Sequence, residues 1–277
     1  MIELKNLWVR YQNQDSYTLR GINLEIRDKG LYLIVGKTGC GKTTLARTLV
    51  GFIPHIFYAE VKGKVEVLGV DPISEGPYAL AGKVAYVAQN PELFVTSITV
   101  EEELYQPLIN LGFKPEGMSE RVRQAVKMLG IDDLYDKSTL TLSAGQLQLV
   151  SLASVMVTGA DVLILDEPLS RLDPDNYINF VEILKKISVT KTIMVFEHHL
   201  DYLVDIADDI IVMSEGRIVA RGKVEEVADF LVEINIPDFL EYAIILWKRG
   251  CIDRIPRNLD EFLVLIRDAA KHRECVV

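Results

Sequence analysis

The sequence predicts an α/β fold: a mostly parallel core sheet with an N-terminal antiparallel β part, an inserted helical subdomain and a C-terminal helical appendage. Strand and helix patterns alternate after residue 158, which is typical of a parallel sheet covered by helices. The apolar run 31–35 leads directly into a glycine-rich segment and a helix pattern, which indicates a strand, a turn and a helix in succession. Between about 100 and 158 the apolar spacing is helical, so this stretch is predicted as a subdomain inserted into the α/β region.

The individual elements follow from the period of their apolar residues. Short apolar or alternating runs predict strands at 2–9, 22–26, 31–35, 64–68, 84–87, 162–165, 192–196, 209–213 and 217–220. Apolar residues three or four positions apart predict helices at 42–50, 100–111, 119–129, 145–157, 175–187, 200–206, 224–233, 238–248 and 259–270. The strands end near residue 222, so we divide the chain into a domain, 1–222, and a helical tail, 223–277.

The tail has an apolar face of its own. In the predicted helix 238–248 this face consists of Phe239, Leu240, Ala243, Ile244, Leu246 and Trp247. Two interpretations stay open: the face packs on its own domain, or it forms a contact between two protomers of a dimer.

The composition and charge of the chain limit the classes of function that it can have. The chain has 277 residues, 49% of them hydrophobic, and a net charge of −10. This acidity argues against nucleic acid as the main partner, because phosphate backbones attract basic surfaces. Apolar runs stay short of the ~18 residues that span a bilayer, and the chain starts with a strand pattern in place of a signal peptide, so membrane contact is expected only through partners. Three cysteines without metal-ligand spacing fit free thiols in a reducing cytoplasm.

A glycine-rich loop follows the strand 31–35 and opens the helix 42–50. It has the G-x-x-x-x-G-K-T pattern in the required setting, with a strand before and a helix after. The candidate ligand-binding residues are Gly36, Lys37, Thr38, Gly39, Cys40, Gly41, Lys42, Thr43 and the adjacent Thr44. Glycines let backbone N–H groups point at phosphates, and the helix dipole adds positive charge. We expect a nucleoside triphosphate with Mg²⁺, with Lys42 on the β- and γ-phosphates and the Thr43 hydroxyl on the metal. Thiol reagents are expected to inhibit through Cys40.

Two carboxylates, Asp166 and Glu167, stand at the carboxyl end of the predicted strand 162–165, where α/β proteins bind ligands. Asp166 is placed to hold Mg²⁺, directly or through water. Glu167 is a candidate general base for an attacking water. A solvated strand end is the alternative, and the presence of the loop 36–43 favours the functional interpretation.

A third segment, Leu142-Ser143-Ala144-Gly145-Gln146, opens the helix 145–157. Its small residues expose backbone N–H groups at a helix start, which makes a second candidate anion site. The alternative is that Ser143 is only the N-cap of this helix. Two phosphate-binding helix starts in one chain suggest a nucleotide shared between two protomers.

The order of these motifs resembles the ATP-binding cassette (ABC) ATPases. It runs through the loop 36–43, Gln89, the L-S-A-G-Q segment, the L-I-L-D-E-P strand end, Ser170-Arg171-Leu172-Asp173 and His198, over residues 1 to about 222. The resemblance implies an ABC-type P-loop nucleotide-binding domain that hydrolyses ATP. In that family two cassettes close head to tail around two ATP molecules, so the phosphate loop of one faces the signature segment of the other.

The resemblance also implies roles for single residues. Tyr11 matches the aromatic that stacks on adenine, Gln89 the glutamine that touches Mg²⁺ and the attacking water, and His198 the histidine that contacts the γ-phosphate. The signature residues Ser143 and Gly145 would bind the γ-phosphate across the dimer, with Ala144 and Gln146 beside them in the nucleotide-binding set, and Asp173 would couple the two sites. The implied catalytic set is Lys42, Gln89, Glu167 and His198, and the implied metal ligands are Thr43, Gln89 and Asp166.

Within the family, two segments resemble the ATPases of energy-coupling factor (ECF) importers, which take up vitamins and transition metals such as cobalt. One is Gln89-Asn90-Pro91-Glu92 with Thr99-Val100-Glu101-Glu102-Glu103, and the other is Gly51-Phe52-Ile53-Pro54-His55 with Gly63-Lys64-Val65. A helical tail that serves protomer pairing also fits this group. Phe94, where a second glutamine is usual, and Ala144, in place of a signature glycine, depart from the pattern.

This resemblance implies the partners. A second ABC ATPase, identical or different, completes the dimer; a transmembrane coupling protein sits near Gln89 and the helical subdomain, and a small membrane protein binds the substrate. The chain would then lie on the cytoplasmic face of the membrane.

The alternatives are an ATPase subunit of another ABC importer or exporter, a soluble ABC ATPase acting on ribosomes or DNA, and a non-hydrolysing regulatory partner. A single cassette, no heptad run and the acidic charge argue against the soluble class, and the complete catalytic set argues against the regulatory one.

Overall fold

The computed structural model of the chain describes residues 1–271 except Pro91, Leu93, Arg171, His199, Asp201 and Asn235. Pro91 of the ECF-like segment therefore lies outside the described residues. The chain forms two β-sheets with helices packed around them, so the predicted α/β class is confirmed.

The predicted strands are all present. They are β1 (Ile2–Tyr11), β2 (Leu19–Ile26), β3 (Gly30–Val35), β4 (Ala59–Val67), β5 (Val84–Val87), β6 (Val162–Asp166), β7 (Thr192–Glu197), β8 (Asp209–Ser214) and β9 (Arg217–Gly222). The start of β4 was predicted at residue 64, which is wrong. The strand starts at Ala59 because its first residues pair with the end of β1, where Ala59 lies opposite Tyr11.

The helices are α1 (Lys42–Leu49), α2 (Phe52–His55), α3 (Pro72–Glu75), α4 (Val100–Asn110), α5 (Pro115–Leu129), α6 (Ala144–Met156), α7 (Pro174–Ser188), α8 (Leu203–Ile206), α9 (Val224–Leu231), α10 (Asp238–Lys248) and α11 (Leu259–Lys271). The one-turn helices α2 and α3 were not predicted, because four residues show no helical period. Helix α5 begins earlier than predicted, since Pro115 starts it. Helix α8 is shorter than predicted, because Tyr202 has a φ of 54°, which an α-helix does not accommodate.

The central sheet has the strand order β5-β6-β7-β3-β8-β9. Its neighbours pair in parallel except β8 and β9, which are antiparallel. Parallel strands have their carboxyl ends at one edge of the sheet. The segments that follow β3, β5, β6 and β7 therefore meet at that edge.

The N-terminal sheet is antiparallel, with the order β2-β1-β4, as predicted. Two hydrophobic cores lie on either side of the buried strand β3, because successive side chains of a strand point to opposite faces. Leu33 belongs to the core that also holds Leu104 of α4 and Phe180 of α7. Ile34 belongs to the core under the N-terminal sheet, together with Leu4.

The tail packs on its own domain through the face predicted from its sequence. Leu240, Ala243 and Ile244 of α10 are fully buried and belong to the same core as Leu33. The tail also keeps exposed apolar side chains, among them Tyr242 and Val264, so a dimer contact of this tail stays a prediction.

Within the described residues, each helix is too short or too polar to cross a bilayer. Cys40 is a buried free thiol, as predicted. Cys251 is disulfide-bonded, so the prediction of a free thiol is wrong at that position.

Candidate nucleotide site

The candidate site lies at the edge where the carboxyl ends of the central strands meet. Strand β7 lies between β3 and β6, so the end of β7 separates the glycine-rich loop from the carboxylates that follow β6. Strand β5 pairs with β6 and brings Gln89 to the same edge. Parallel pairing therefore collects residues that are far apart in the sequence.

The loop between β3 and α1 is held by its own lysine. Lys42 is 4% exposed, and its Nζ donates hydrogen bonds to the carbonyl oxygens of Gly36 at 2.7 Å and Lys37 at 3.4 Å. A Cβ on Gly36 would lie 2.2 Å from the carbonyl oxygen of Met213, so only glycine fits there. Gly41, the N-cap of α1, has a φ of 109°, which other residues rarely adopt. The ammonium group is thus enclosed by the curled loop and can exchange these carbonyls for phosphate oxygens.

A cavity of about 670 Å³ lies over this loop, a size that suits a nucleotide-sized ligand. Its lining residues are Tyr11, Gln14, Thr18, Thr38, Gly39, Gly41, Lys42, Thr43, Thr44, Gln89, Glu167, Ser170 and His198. The structure thus brings the implied catalytic set and the predicted adenine-stacking tyrosine into one cavity. Gln14, Thr18 and Ser170 are additions that were not predicted.

Several predicted residues do not line this cavity. In the loop these are Gly36, Lys37 and Cys40, and outside the loop they are Ser143, Ala144, Gly145, Gln146, Asp166 and Asp173. Asp166 still contacts the cavity, because it is hydrogen-bonded to Thr43. The signature segment and Asp173 are not brought to the site of their own chain.

Asp166 joins the loop to the central sheet. One carboxylate oxygen accepts a hydrogen bond from the Thr43 hydroxyl at 3.1 Å and the other accepts one from the Tyr86 phenol at 3.0 Å. Burial raises the pKa of Asp166, and the two hydrogen bonds oppose this rise. Burial, with the nearby Asp166 charge, raises the pKa of the Tyr86 phenol, so Tyr86 stays a donor. Oxygen ligands are what Mg²⁺ prefers, so Asp166, Thr43 and the Gln89 side chain form a suitable donor set.

Glu167 lies between two of the other predicted catalytic side chains, Gln89 and His198. The Gln89 amide donates a hydrogen bond to its Oε2 at 2.5 Å, and Nδ1 of His198 lies 3.7 Å from its Oε1. Glu167 has a φ of 49°, which is uncommon for a residue with a side chain. Its N–H donates to the carbonyl oxygen of Phe196 in β7 at 2.8 Å. The backbone therefore turns sharply at the end of β6 and directs the Glu167 carboxylate into the cavity.

A second carboxyl group, Glu197, lies close to the site and was not predicted. It ends β7 as Asp166 ends β6, and it is 1% exposed. Its oxygens accept hydrogen bonds from the N–H groups of Leu169 at 3.1 Å and His198 at 3.2 Å. Burial raises its pKa to about 7. The signal in the sequence was an acid at the end of an apolar strand, the same signal that identified Asp166.

Stability is expected to fall as pH rises through the range in which Glu197 ionises. Its folded-state pKa is about 7, against an ordinary value of 4.5, so in this range the folded state binds more protons than the unfolded state. The free energy of unfolding then decreases with rising pH, by about 3 kcal/mol for this group. Denaturant titrations of the wild type and Glu197→Gln measure the difference between about pH 4.5 and 8. Parallel pH curves for the two proteins would contradict this assignment.

Tyr11 lines the cavity. Its hydroxyl is 3.2 Å from the Thr44 hydroxyl, which ties the tyrosine to helix α1. Next to it, the Thr18 hydroxyl donates to the Gln14 amide oxygen at 2.8 Å. Tyr11, Gln14 and Thr18 thus add an aromatic ring and polar groups to the lining of the cavity.

The signature segment forms an N-cap, the alternative that the sequence left open for Ser143. The Ser143 hydroxyl accepts from the Gln146 N–H at 3.3 Å, and the Gln146 side chain accepts from the Ser143 N–H at 3.0 Å. An N-cap also opens α7, where the Asp173 side chain accepts from the Asn176 N–H at 3.1 Å. A Cβ on Gly145 would lie 3.1 Å from the Asn176 amide nitrogen. The two helix starts are therefore neighbours. The Ser143 cap does not exclude phosphate binding, because its hydroxyl proton is not used by this bond.

We expect thiol reagents to modify Cys40 slowly, which revises the inhibition expected from its place in the loop. Cys40 is 7% exposed, and burial raises the pKa of its thiol, so little thiolate forms at neutral pH. Iodoacetamide labelling followed by mass spectrometry, in the native and the urea-unfolded chain, should give a native rate at least about tenfold lower. Cys40→Ser is the control for other sites, and equal rates in the two states would contradict the expectation.

Comparison with known proteins identifies the family. The profile of the ABC transporter family matches residues 19–170. A Pyrococcus horikoshii protein whose name describes it as an ABC transporter ATP-binding protein is 37% identical over 276 residues, 96% of each chain. The structure of cbiO1 from Clostridium perfringens, described as part of the ABC transporter complex cbiONQ, is 29% identical with a TM-score of 0.73, over 82% of this chain and 90% of its own. MJ1267, an ATP-binding cassette of an ABC transporter in its ADP conformation, is 25% identical with a TM-score of 0.72, over 84% and 95%.

These similarities agree with the site geometry. The family profile covers the loop, Gln89, the signature segment and Glu167. The similarity to the Pyrococcus protein covers nearly the whole length of both chains. The chain therefore belongs to the ABC transporter family, in which it is an ATP-binding and ATP-hydrolysing subunit.

Proposed function

We propose that this chain hydrolyses Mg–ATP to energise an ECF-type membrane importer of vitamins or transition-metal ions. The observation that carries the importer type is the likeness to cbiO1, part of the ABC transporter complex cbiONQ, over 82% of this chain. The two ECF-like segments, 51–65 and 89–103, support the same assignment. The chemistry of the site supports the hydrolytic step.

ATP binding follows from the cavity. Tyr11 stacks on the base, and the loop N–H groups and Lys42 bind the phosphates, with the helix dipole of α1 adding to their positive field. Thr43, Gln89 and Asp166 would hold Mg²⁺. When bound, this ion neutralises charge on the β- and γ-phosphates.

Hydrolysis needs a water activated next to the γ-phosphate. Glu167 takes the proton of this water as general base, and its carboxylate is held by the Gln89 amide. Gln89 and His198 contribute hydrogen-bonding groups on either side of Glu167, where the water and the γ-phosphate would lie. Because all three groups line the cavity, no rearrangement of β6 or β7 is needed to form this arrangement.

The signature segment and Asp173 act in the site of a second protomer. They do not line the cavity of their own chain, and Ser143 and Ala144 are exposed. When two cassettes close head to tail, Ser143, Gly145 and Gln146 of one protomer reach the γ-phosphate held by the other, and Asp173 couples the two sites. The exposed apolar residues of the tail then pair the protomers, which are identical or different chains.

The membrane partner docks in a groove of about 360 Å³ next to Gln89. The groove is lined largely by apolar side chains: Phe52, Ile56, Phe57, Tyr86 and Phe94. The rings of Tyr86 and Phe94 are 6.5 Å apart, and Phe94 is 54% exposed. An apolar, aromatic groove of this kind suits the face of a helix from a coupling protein. Through this contact the chain works at the cytoplasmic face of the membrane.

A pull-down of the tagged chain from detergent-solubilised membranes of its source organism, with mass identification, tests the proposal. A polytopic coupling protein together with a small substrate-binding membrane protein is expected, with or without a second cassette. Conventional permease subunits would contradict the ECF assignment but keep the transporter one. Soluble partners alone would contradict a membrane function.

A pair of variants gives the pull-down its control. Phe94→Glu places a charge in the groove and should abolish recovery of the coupling protein. Tyr78→Glu introduces the same charge at a residue that is 91% exposed and outside the groove, and should leave recovery unchanged. Equal recovery with both variants would show that the partner docks elsewhere.

The second candidate is an ATPase subunit of another type of ABC transporter. The likeness to MJ1267, an ATP-binding cassette of an ABC transporter, favours it, because its TM-score of 0.72 nearly equals that of cbiO1. The chemistry of the site is the same in both cases, and the identity of the membrane partner separates them.

A further inference from the structure

Glu197 is a buried carboxyl group next to the candidate site, and the hydrolytic scheme above does not use it. It is 1% exposed and lies at the centre of the sheet edge, since β7 is flanked by β3 and β6. Burying a carboxyl group is costly unless hydrogen bonds compensate it. A group kept at this position therefore needs a reason beyond packing.

The two oxygens of Glu197 bind two different segments. Oε1 accepts from the Leu169 N–H at 3.1 Å, and Oε2 accepts from the His198 N–H at 3.2 Å. Leu169 is two residues after Glu167 and His198 directly follows β7, so one side chain ties the segment after β6 to the end of β7. The Glu167 N–H bond to the carbonyl of Phe196 is a second tie between the same two segments.

Glu197 also faces the imidazole of His198. Nδ1 of His198 lies 3.6 Å from Oε2 of Glu197 and 3.7 Å from Oε1 of Glu167. An imidazole whose Nδ1 edge faces carboxylates is favoured with a proton on that nitrogen. His198 also lines the cavity, so the orientation of its ring matters for the space where a phosphate would bind.

We propose that Glu197 is a positioning residue for hydrolysis, which orients His198 against Glu167 by holding the backbones of His198 and Leu169 at a fixed separation. The inference rests on the proposed function, because it assigns a role in the same hydrolytic site. Glu197 contacts no nucleotide in this scheme and acts through His198. The backbone of Glu167 is strained, with a φ of 49°, and such a conformation persists only where its surroundings enforce it. The fixed separation of His198 and Leu169 helps to enforce it.

The test is a double-mutant cycle on steady-state ATP hydrolysis by the full chain. Glu197→Gln keeps the shape and removes one acceptor. It should lower kcat between about tenfold and a hundredfold, the loss typical of misplaced catalytic groups, with KM for ATP changed less than about twofold. In the His198→Ala background the same substitution should lower kcat by less than about threefold. Equal losses in both backgrounds, or no loss in either, would overturn the proposal.

A matched control separates positioning from general damage to a buried carboxyl group. Glu103 is also buried and accepts hydrogen bonds from the N–H groups of Thr96 and Ser97, both at 3.0 Å. Any loss caused by Glu103→Gln should be the same with and without His198→Ala, because Glu103 does not contact His198. If His198→Ala reduces the kcat loss caused by Glu103→Gln as much as the loss caused by Glu197→Gln, Glu197 does not act specifically through His198.

A second readout does not depend on turnover. The ¹⁵N shifts of the His198 ring nitrogens, assigned with His198→Ala, should change in Glu197→Gln and stay as in the wild type in Glu103→Gln. Unchanged shifts in Glu197→Gln would overturn the proposal even if kcat falls. If the wild-type chain fails to hydrolyse ATP, the proposed function fails, whereas the ring shifts still decide whether Glu197 orients His198.

Discussion

Replacing Glu167 by glutamine should lower ATP turnover by about a hundredfold or more, the size of a general-base contribution, and trap a dimer with ATP bound. The glutamine is isosteric and keeps a contact to Gln89, but it cannot accept the proton of the attacking water. It also removes a negative charge next to the γ-phosphate, which strengthens ATP binding. Turnover is measured by phosphate release, and the dimer by size-exclusion chromatography in the presence of ATP.

Three further results test this expected outcome. The double variant Lys42→Ala, Glu167→Gln should stay monomeric with ATP, because it lacks the phosphate contact on which closure depends. Unchanged steady-state hydrolysis in Glu167→Gln alone would remove Glu167 as the general base. Reduced hydrolysis without a trapped dimer would keep the base assignment and contradict the closure of two cassettes around ATP.

The sequence predicted those parts of this site whose residues are neighbours in the chain. The glycine-rich loop and Asp166-Glu167 each follow an apolar strand directly, and parallel pairing then places both at one sheet edge. The loop and these carboxylates could therefore be identified without knowing the strand order. In the central sheet, β7 lies between β3 and β6, so its end separates the loop from the carboxylates. This strand order depends on long-range contacts, and no local sequence pattern encodes it.

The residues that were missed depend on such long-range contacts. Tyr86 appears in the sequence as one more strand aromatic, and only the pairing of β5 with β6 directs its hydroxyl to Asp166. Glu197 appears in the sequence as one acid before His198, and its burial depends on the strands on both sides of β7. For Ser143 the sequence allowed two roles, the N-cap of α6 and a contact to the nucleotide of a second protomer. The structure of one protomer confirms the cap, and the role in the dimer stays a proposal.

The fold was predicted well where the apolar period was strong and less well at element ends. Buried strands such as β3 show continuous apolar runs, whereas the first residues of β4 are partly exposed and show no such run. Helix α5 begins at a proline whose effect depends on the chain before it. These errors leave the site unchanged, because β3, β6 and β7, the strands that position it, are buried elements with clear patterns.

Replacing Lys42 by alanine should weaken ATP binding by about a hundredfold or more, since charge-assisted hydrogen bonds contribute about 1.5–3 kcal/mol each and Lys42 reaches two phosphates. The loop itself should also loosen, because the ammonium bonds to the carbonyls of Gly36 and Lys37 are lost. Isothermal titration with a non-hydrolysable ATP analogue measures the affinity. Lys29→Ala removes the same charge from an exposed position at the other end of β3 and should change the affinity less than about threefold.

The comparison of these two lysines decides between two explanations of ATP binding. If the long-range field of the chain attracts the phosphates, both variants should weaken binding, because both raise the net negative charge equally. If direct contact dominates, only Lys42→Ala should do so. The structure favours direct contact, because Lys42 is 4% exposed at the floor of the cavity and its ammonium is enclosed by loop carbonyls that phosphate oxygens can replace. The net charge of −10 adds to this argument: in a chain that repels ATP overall, binding must come from the few positive groups that touch it.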